Sequence, residues 1–259
     1  MKKVLLPALG AIILSTAFYG IYKISTPKVY QDKDVKCDFD IGVCYDLNNK
    51  PITGRIQNYN NSTLISDIEY KDGKENGELK IYRTDGTIYL EGTYKNGLPD
   101  GYVKEYNEDG TLFSYDEFKD GLQHGKSIIY QAKDKILKQW HYDNGKETGI
   151  GTVYYPNGKT QLEVNHTTGE LKYFTKEGAL QTLAHFNSNG YHGTWQNFTK
   201  DGKITLELIY NEGKPQSGYC LDKDSQKKEF TAEDFTIFAT TNKTPCDTST
   251  KTEPLTNPK

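Results

Sequence analysis

The sequence predicts an all-β fold: an elongated single-layer solenoid of repeated antiparallel β-hairpins, about 24 residues per unit, with disulfide-bearing terminal caps. Three observations predict it. The stretch from Tyr70 to Tyr142 writes one pattern three times with a period of 24 residues: YKDGKENGELKIYRTDGTIYLEGT, YKNGLPDGYVKEYNEDGTLFSYDE and FKDGLQHGKSIIYQAKDKILKQWH. Each copy places an aromatic (Tyr70, Tyr94, Phe118), a glycine (Gly73, Gly97, Gly121), a second glycine (Gly77, Gly101, Gly125) and a further aromatic (Tyr82, Tyr106, Tyr130) at fixed offsets. Composition agrees, because only 35% of the 259 residues are apolar while 20 are Tyr and 24 are Gly. That is lean for a globular core and rich in the residues of exposed sheets and tight turns.

Residues 1–25, MKKVLLPALGAIILSTAFYGIYKIS, set Lys2 and Lys3 before an uncharged run from Val4 to Tyr22, the pattern of an export signal. Ser15 and Ala17 suit a cleavage site. The same run is nearly long enough to span the roughly 30 Å of bilayer hydrocarbon, so a signal peptide and a membrane anchor through residues 4–22 both stay open. The expected location is exported: periplasmic, anchored in the envelope membrane, or secreted.

Residues 26–44 are expected to form a spacer and an N-terminal cap. Cys37 and Cys44 lie here, and Cys220 and Cys246 lie near the other end. Four cysteines allow three pairings, and their clustering favours Cys37 with Cys44 and Cys220 with Cys246. Such bridges would staple the segments that protect the open ends of a solenoid. Spacing for a metal or redox site is absent.

The array is expected over residues 45–218. Tyr45, Gly54 and Tyr59 suggest a degraded first copy, with Asn49 where a glycine belongs. The fourth copy, from Tyr142, keeps Gly145, Gly149, Tyr154 and Gly158. A fifth starts at His166, is shorter and lacks the middle glycine; a sixth starts at Phe186, and a half copy runs from Tyr210 to Gly218. Asp-Gly and Asn-Gly pairs mark hairpins, so Gly73, Gly77, Gly86, Gly97, Gly101, Gly110, Gly121, Gly125, Gly145, Gly149 and Gly158 are expected in turns. After each turn glycine the even positions are mostly apolar (Ile88, Leu90, Gly92, Tyr94) and the odd ones mostly polar, as a half-buried strand requires. The third copy lacks a turn glycine near Lys133 and Asp134.

Residues 219–247 break the pattern and are expected to form a C-terminal cap, in which Thr231, Glu233 and Asp234 suit a helix N-terminus. Residues 248–259, a polar tail with two prolines, are expected to be disordered.

The charge balance, 32 basic against 35 acidic residues, gives no basic face for nucleic acid. His124, His141, His166, His185 and His192 fall at repeat positions and read as surface variants. No metalloprotease, nucleophile-elbow or phosphate-loop motif occurs. Asp85, Asp109 and Asp201 fit turn chemistry better than calcium binding. The expectation is a protein without catalytic activity, metal or cofactor.

The segment EGTYKNGLPDGYVKEYNEDG, residues 91–110, resembles the MORN repeat, and more closely its bacterial variant, found in a group that includes antitoxin-like proteins. The resemblance covers about residues 45–218 and implies a single-layer hairpin solenoid used for protein contacts and, in some cases, phospholipid contacts. It further implies that Tyr70, Tyr94, Phe118, Tyr142, Phe186 and Tyr210 line an aromatic stack. The leading expectation is a protein-binding scaffold in the cell envelope. The alternatives are a toxin-neutralising or immunity protein and a phospholipid-surface binder, and end-to-end self-association through free sheet edges stays open. Tyr89, Phe113, Tyr115, Trp140 and Trp195 are the candidate interface, being of the types that dominate binding energetics, although stacking within the sheet is their plainer role.

Overall fold

The computed structural model describes residues 27–247. The expected export segment and the expected disordered tail lie outside the described residues. One 17-stranded sheet dominates. From Gly54–Asn60 to Lys227–Glu229 each strand pairs antiparallel with the next in sequence, so the array is an open meander of hairpins.

Two kinds of turn alternate. Between units, Asp72 and Gly73 both take positive φ (52° and 81°), the type I′ geometry whose twist matches the flanking strands. Asn96-Gly97, Asp120-Gly121 and Asn144-Gly145 repeat it. Within units, Arg83 receives a bond back from the Gly86 amide and donates its own to Thr87, a longer turn closed by Asp85. The third copy solves its missing glycine by shortening this turn: Ala132 pairs with Lys135, and Asp134 takes φ 57°.

The second glycine of each copy is not in a turn, which corrects the expectation for Gly77, Gly101, Gly125 and Gly149. All four lie inside strands, Lys74–Tyr82, Leu98–Tyr106, Leu122–Ala132 and Lys146–Tyr154. Tyr70 pairs with Glu75 and Ile68 with Leu79, so Glu69 alone faces Asn76, Gly77 and Glu78. This is a special bulge of three residues against one, which bends the strand and breaks its ladder. Glu69 repairs the break, because its Oε2 accepts from the Glu78 amide at 3.0 Å. Thr93 does the same for Tyr102 (3.1 Å) and Glu117 for Lys126 (2.8 Å). A Cβ on Gly77 would sit 1.9 Å from that Oε2. The fifth copy lacks the glycine, and there Thr160–Asn165 pairs with Glu170–Phe174 in unbroken register.

Bending brings successive turns together. The amides of Gly97, Gly121, Gly145 and Gly213 donate to the carbonyls of Glu75, Pro99, Gln123 and Tyr191, at 2.8–2.9 Å. Each bond ties a turn to the unit before it.

The sheet has a core face, carrying the even positions, and an open face. Its core is three small clusters rather than one. At the N-terminal end Tyr30, Cys44, Ile52 and Ile56 pack with Val35 and Tyr70. Leu162, Val164, Leu171 and Ala184 form the second cluster, and Leu206, Leu208 and Cys220 the third.

The N-terminal boundary differs from expectation. Residues Val29–Gln31, expected as spacer, form a strand parallel to Gly54–Asn60, because buried Tyr30 joins the first cluster. Tyr45 and Asn49 belong to no repeat. Val35–Asp38 and Val43–Asp46 form a separate hairpin, cross-linked by Cys37–Cys44 at facing positions. That hairpin docks on the first unit where the Cys44 amide donates to the Gly73 carbonyl at 2.7 Å.

At the other end, helix α1 (Ala232–Thr241) starts at Thr231, whose side chain accepts from the Asp234 amide while Asp234 reaches back. Phe235 and Phe238 press on the third cluster, and Cys220–Cys246 ties the segment down. The last strand, Lys227–Glu229, is short, charged and wholly exposed, which blunts it as an edge.

Two outcomes follow for stability. Gly77→Ala should cost about 3 kcal/mol, since it adds a clash to a strained φ, whereas Gly86→Ala, with open space around it, should cost about 1. Urea unfolding checks this, and adding Glu69→Ala to Gly77→Ala should recover part of the loss. Cys220 and Cys246 are 26 residues apart against 7 for Cys37 and Cys44, so replacing the C-terminal pair by Ala should cost about 1 kcal/mol more than replacing the N-terminal pair.

Candidate functional site

The open face of the central units is built from the odd positions of their strands. Asp67, Lys80, Glu91, Lys104 and Tyr115 are successive register partners across five strands, with charges alternating in sign. Lys104 meets Glu91 at 3.1 Å, and Arg55 bridges Asp67 and Glu69 at 2.8 Å each. Pairs this near the surface contribute up to about 1 kcal/mol each, so they fix register and orientation more than stability.

Tyrosines are anchored into this row. Tyr106 donates to Glu91 Oε1 and Tyr115 to Glu117 Oε1, both at 2.8 Å. Partial burial, reinforced by the carboxylate each one faces, pushes both phenols up to about 12. The Lys126 amide holds the Glu117 carboxyl below its ordinary range, so one carboxylate serves both the bulge and the tyrosine.

Above this polar row stands an apolar ridge. Tyr89, Phe113 and Leu137 follow the within-unit turn at the same place in three consecutive copies, and they are 43%, 41% and 37% exposed. Two strands per unit separate consecutive members by about 10 Å. The Arg83 guanidinium lies 5.1 Å from the Tyr89 ring and steadies it from one side. Sequence reasoning named Tyr89 and Phe113 and missed Leu137, although the period itself pointed there.

The five expected interface residues do not form one surface. Tyr115 shares the open face with Tyr89 and Phe113 but is half-buried. Trp140 and Trp195 lie on the core face. Trp140 pairs with Ser127 and covers Gly151, where a Cβ would lie 2.7 Å from the indole. Trp195 pairs with Ala184 and Leu208, joins both C-terminal clusters, and donates its Nε1 to Asn197 at 3.2 Å.

The expected aromatic stack also needs correction. Tyr70, Tyr94, Phe118, Tyr142, Phe186 and Tyr210 all occupy the core face, yet ring–ring contacts occur, among the described residues, only from His166 onward. Consecutive members are two strands apart, too far for rings to touch. The strand between them carries Glu75, Pro99, Gln123 or Glu147, none of which has an aromatic ring to bridge the gap, but Tyr191 in the C-terminal unit. Tyr191 therefore meets Tyr210 at 5.6 Å and Trp195 at 4.8 Å.

His124 faces Asp143 at 3.2 Å and His166 faces Glu147 at 3.3 Å, pairs between neighbouring strands rather than a converging site. Among the described residues no group of three or more His, Cys, Asp or Glu is placed to hold a metal ion.

This geometry defines a β-hairpin repeat protein whose central units present a regular, partly apolar face. The family model described as MORN repeat variant matches it at residues 75–96, 99–120 and 147–167. The first two matches carry Tyr89 and Phe113. A comparison with curated proteins found no match. Among solved structures, the crystal structure of the GtfA/B complex bound to UDP and GlcNAc aligns at 12% identity and a TM-score of 0.16, covering 47% of this chain and 22% of that one. ASR alternansucrase in complex with isomaltononaose aligns at 15% identity and a TM-score of 0.20, covering 75% of this chain and 16% of that one. The chain thus spans less than a quarter of either protein, and scores this low establish neither a shared fold nor a shared activity.

The tyrosines give the protein an alkaline limit. Tyr70, Tyr106, Tyr115 and Tyr191 are each raised to about 12 from an ordinary 10.0. A raised folded value means their contribution is fully present below pH 10 and is lost as pH climbs towards 12. The urea midpoint should fall across that window, and Tyr115→Phe should make the fall shallower.

Proposed function

We propose that the protein is a non-enzymatic scaffold that binds another protein through the open face of its central units. The ridge of Tyr89, Phe113 and Leu137 carries this reading, because three large apolar side chains repeat at one exposed position with polar neighbours around them. Aromatic anchors of this kind supply most of the energy of a protein interface, while a surrounding polar row sets orientation. The rigid sheet holds the three at fixed separation, so little ordering is needed on binding.

Export to an oxidising compartment fits the two disulfides, which persist poorly where thiols are kept reduced. Among the described residues no helix is long and apolar enough to cross a membrane. Anchoring, if the N-terminal segment is retained, falls to residues 4–22.

The test is cross-linked co-purification of the tagged protein from envelope fractions, run in parallel with Tyr89→Ala and Phe113→Ala. The expected result is one protein recovered at near-equal stoichiometry, whose affinity drops at least tenfold in each variant with the melting temperature unchanged. Undiminished recovery by both variants would remove the ridge from the interface. A toxic enzyme as the recovered partner would assign the immunity role, and vesicle binding with no protein partner would assign the lipid role.

A further inference from the structure

The N-terminal cap and the first units enclose a second site. A cavity of about 270 Å³ lies between the disulfide-linked hairpin and the core face, lined by Phe39, Ile41, Val43, Tyr70, Glu75 and Asn96 among others. Glu75 is half-buried and stands opposite Tyr70 in the ladder. Burial raises its carboxyl above the ordinary range. Its strand runs between those of Tyr70 and Tyr94, and after burial its charge raises both phenols.

What distinguishes Glu75 is the lack of a polar partner. The same repeat position holds Gln123, which donates to Asp116 at 3.1 Å, and Glu147, which meets His166 at 3.3 Å and accepts from Tyr142 at 3.3 Å. Elsewhere it holds Pro99, Tyr191 and Pro215, which bring no charge to this face. Among the described residues Glu75 is the one charged side chain at this position with neither hydrogen bond nor ion pair. Lys74 also lines the cavity, but successive residues of a strand point to opposite faces, and its exposed side chain makes no ion pair with Glu75.

A half-buried carboxylate among apolar and aromatic walls favours one kind of guest. Divalent metal ions need several converging oxygen ligands. Asp38, the other carboxylate of the lining, already accepts from the Asp40 and Ile41 amides, and among the described residues no group of three or more His, Cys, Asp or Glu is placed to hold a metal ion. An organic ammonium group offers its charge to the carboxylate and its methylene or methyl groups to Ile41 and Val43. Aromatic rings attract it through their faces. We infer that this cavity is a binding site for an organic ammonium group, either a small quaternary amine or a lysine side chain of a partner, with Glu75 as counter-charge and Phe39 and Tyr70 as aromatic walls. The Cys37–Cys44 bridge holds Phe39 and Ile41 in place, although Phe39 is 92% exposed and Ile41 57%. An exposed phenylalanine on a cross-linked hairpin gains nothing within this chain, and at the edge of the cavity it offers its ring face to a bound cation.

The site is separate from the ridge and does not depend on it. The test is calorimetric titration of the purified full chain with choline, with its uncharged isostere 3,3-dimethylbutanol, and with a lysine-containing peptide against the same peptide acetylated on lysine. Binding of choline, the lysine peptide or both is expected, with the uncharged counterparts at least tenfold weaker. Glu75→Gln should weaken the ammonium ligand at least tenfold and Phe39→Ala several-fold, both with unchanged melting temperature, while Tyr89→Ala and Phe113→Ala should bind normally. Choline alone would point to a small solute, and the peptide alone to a lysine of a partner protein. Absence of binding by both ammonium probes, equal binding of the uncharged isosteres, or full binding by Glu75→Gln would overturn the inference.

Discussion

A glycine held at positive φ in the middle of a strand is the constraint on which this array depends. At Gly77, φ is 124° and no Cβ could be accommodated beside Glu69. The backbone therefore bulges, and the amide that the bulge frees is recovered by a side chain from the neighbouring strand. Three further consequences follow from that one local event. The strand bends, the next turn folds over the unit behind it, and the turn glycine finds a carbonyl there. Where the glycine is missing, in the fifth copy, the ladder runs straight and the copy is shorter. The period of the sequence is the spacing of these bulges.

A single-layer sheet has no second layer to cover it, and this governs where the core lies. Aliphatic side chains are too few to build a continuous interior, so burial collects wherever something covers the core face. The disulfide-linked hairpin does this at one end and helix α1 with its phenylalanines at the other. Between them the core face turns polar, with Glu105, Ser114, Asp116 and Ser127 in the rows that elsewhere hold Leu79, Leu171 and Leu208. The central units are thus held by ladder bonds, turn-to-turn bonds and ion pairs more than by burial. The ion pairs lie on their open face, and the exposed ridge stands above them with no structural partner among the described residues but Arg83.

The same division explains why two sites of different chemistry sit on one chain. The ridge exists because repetition copies an exposed position, and Tyr89, Phe113 and Leu137 each fall at the same register step of their hairpins. The cavity exists because repetition stops. The cap replaces a preceding unit and does not fill its volume, and Glu75 stands without a partner because the positions that supply Asp116 to Gln123 and His166 to Glu147 hold Ile68 and Tyr94 here.

Much of this was legible in the residues alone. The fixed offsets of glycine and aromatic pointed to a hairpin array; Thr231 and Asp234 suited the helix start; cysteine clustering favoured the two bridges found, among three possible pairings. Each of these is local, set by backbone conformations that few residues adopt or by short sequence separations. The residues could not show that Gly77 lies in a bulge rather than a turn, since both need positive φ and only the strand pairing tells them apart. Nor could they show that the repeat tyrosines stand too far apart to touch, or that Trp195 is packed between clusters while Phe113 is exposed. Sequence determined which backbone shapes recur and how often. The tertiary structure decided which face is covered, because covering depends on caps that fold back from outside the repeat, where the period carries no information.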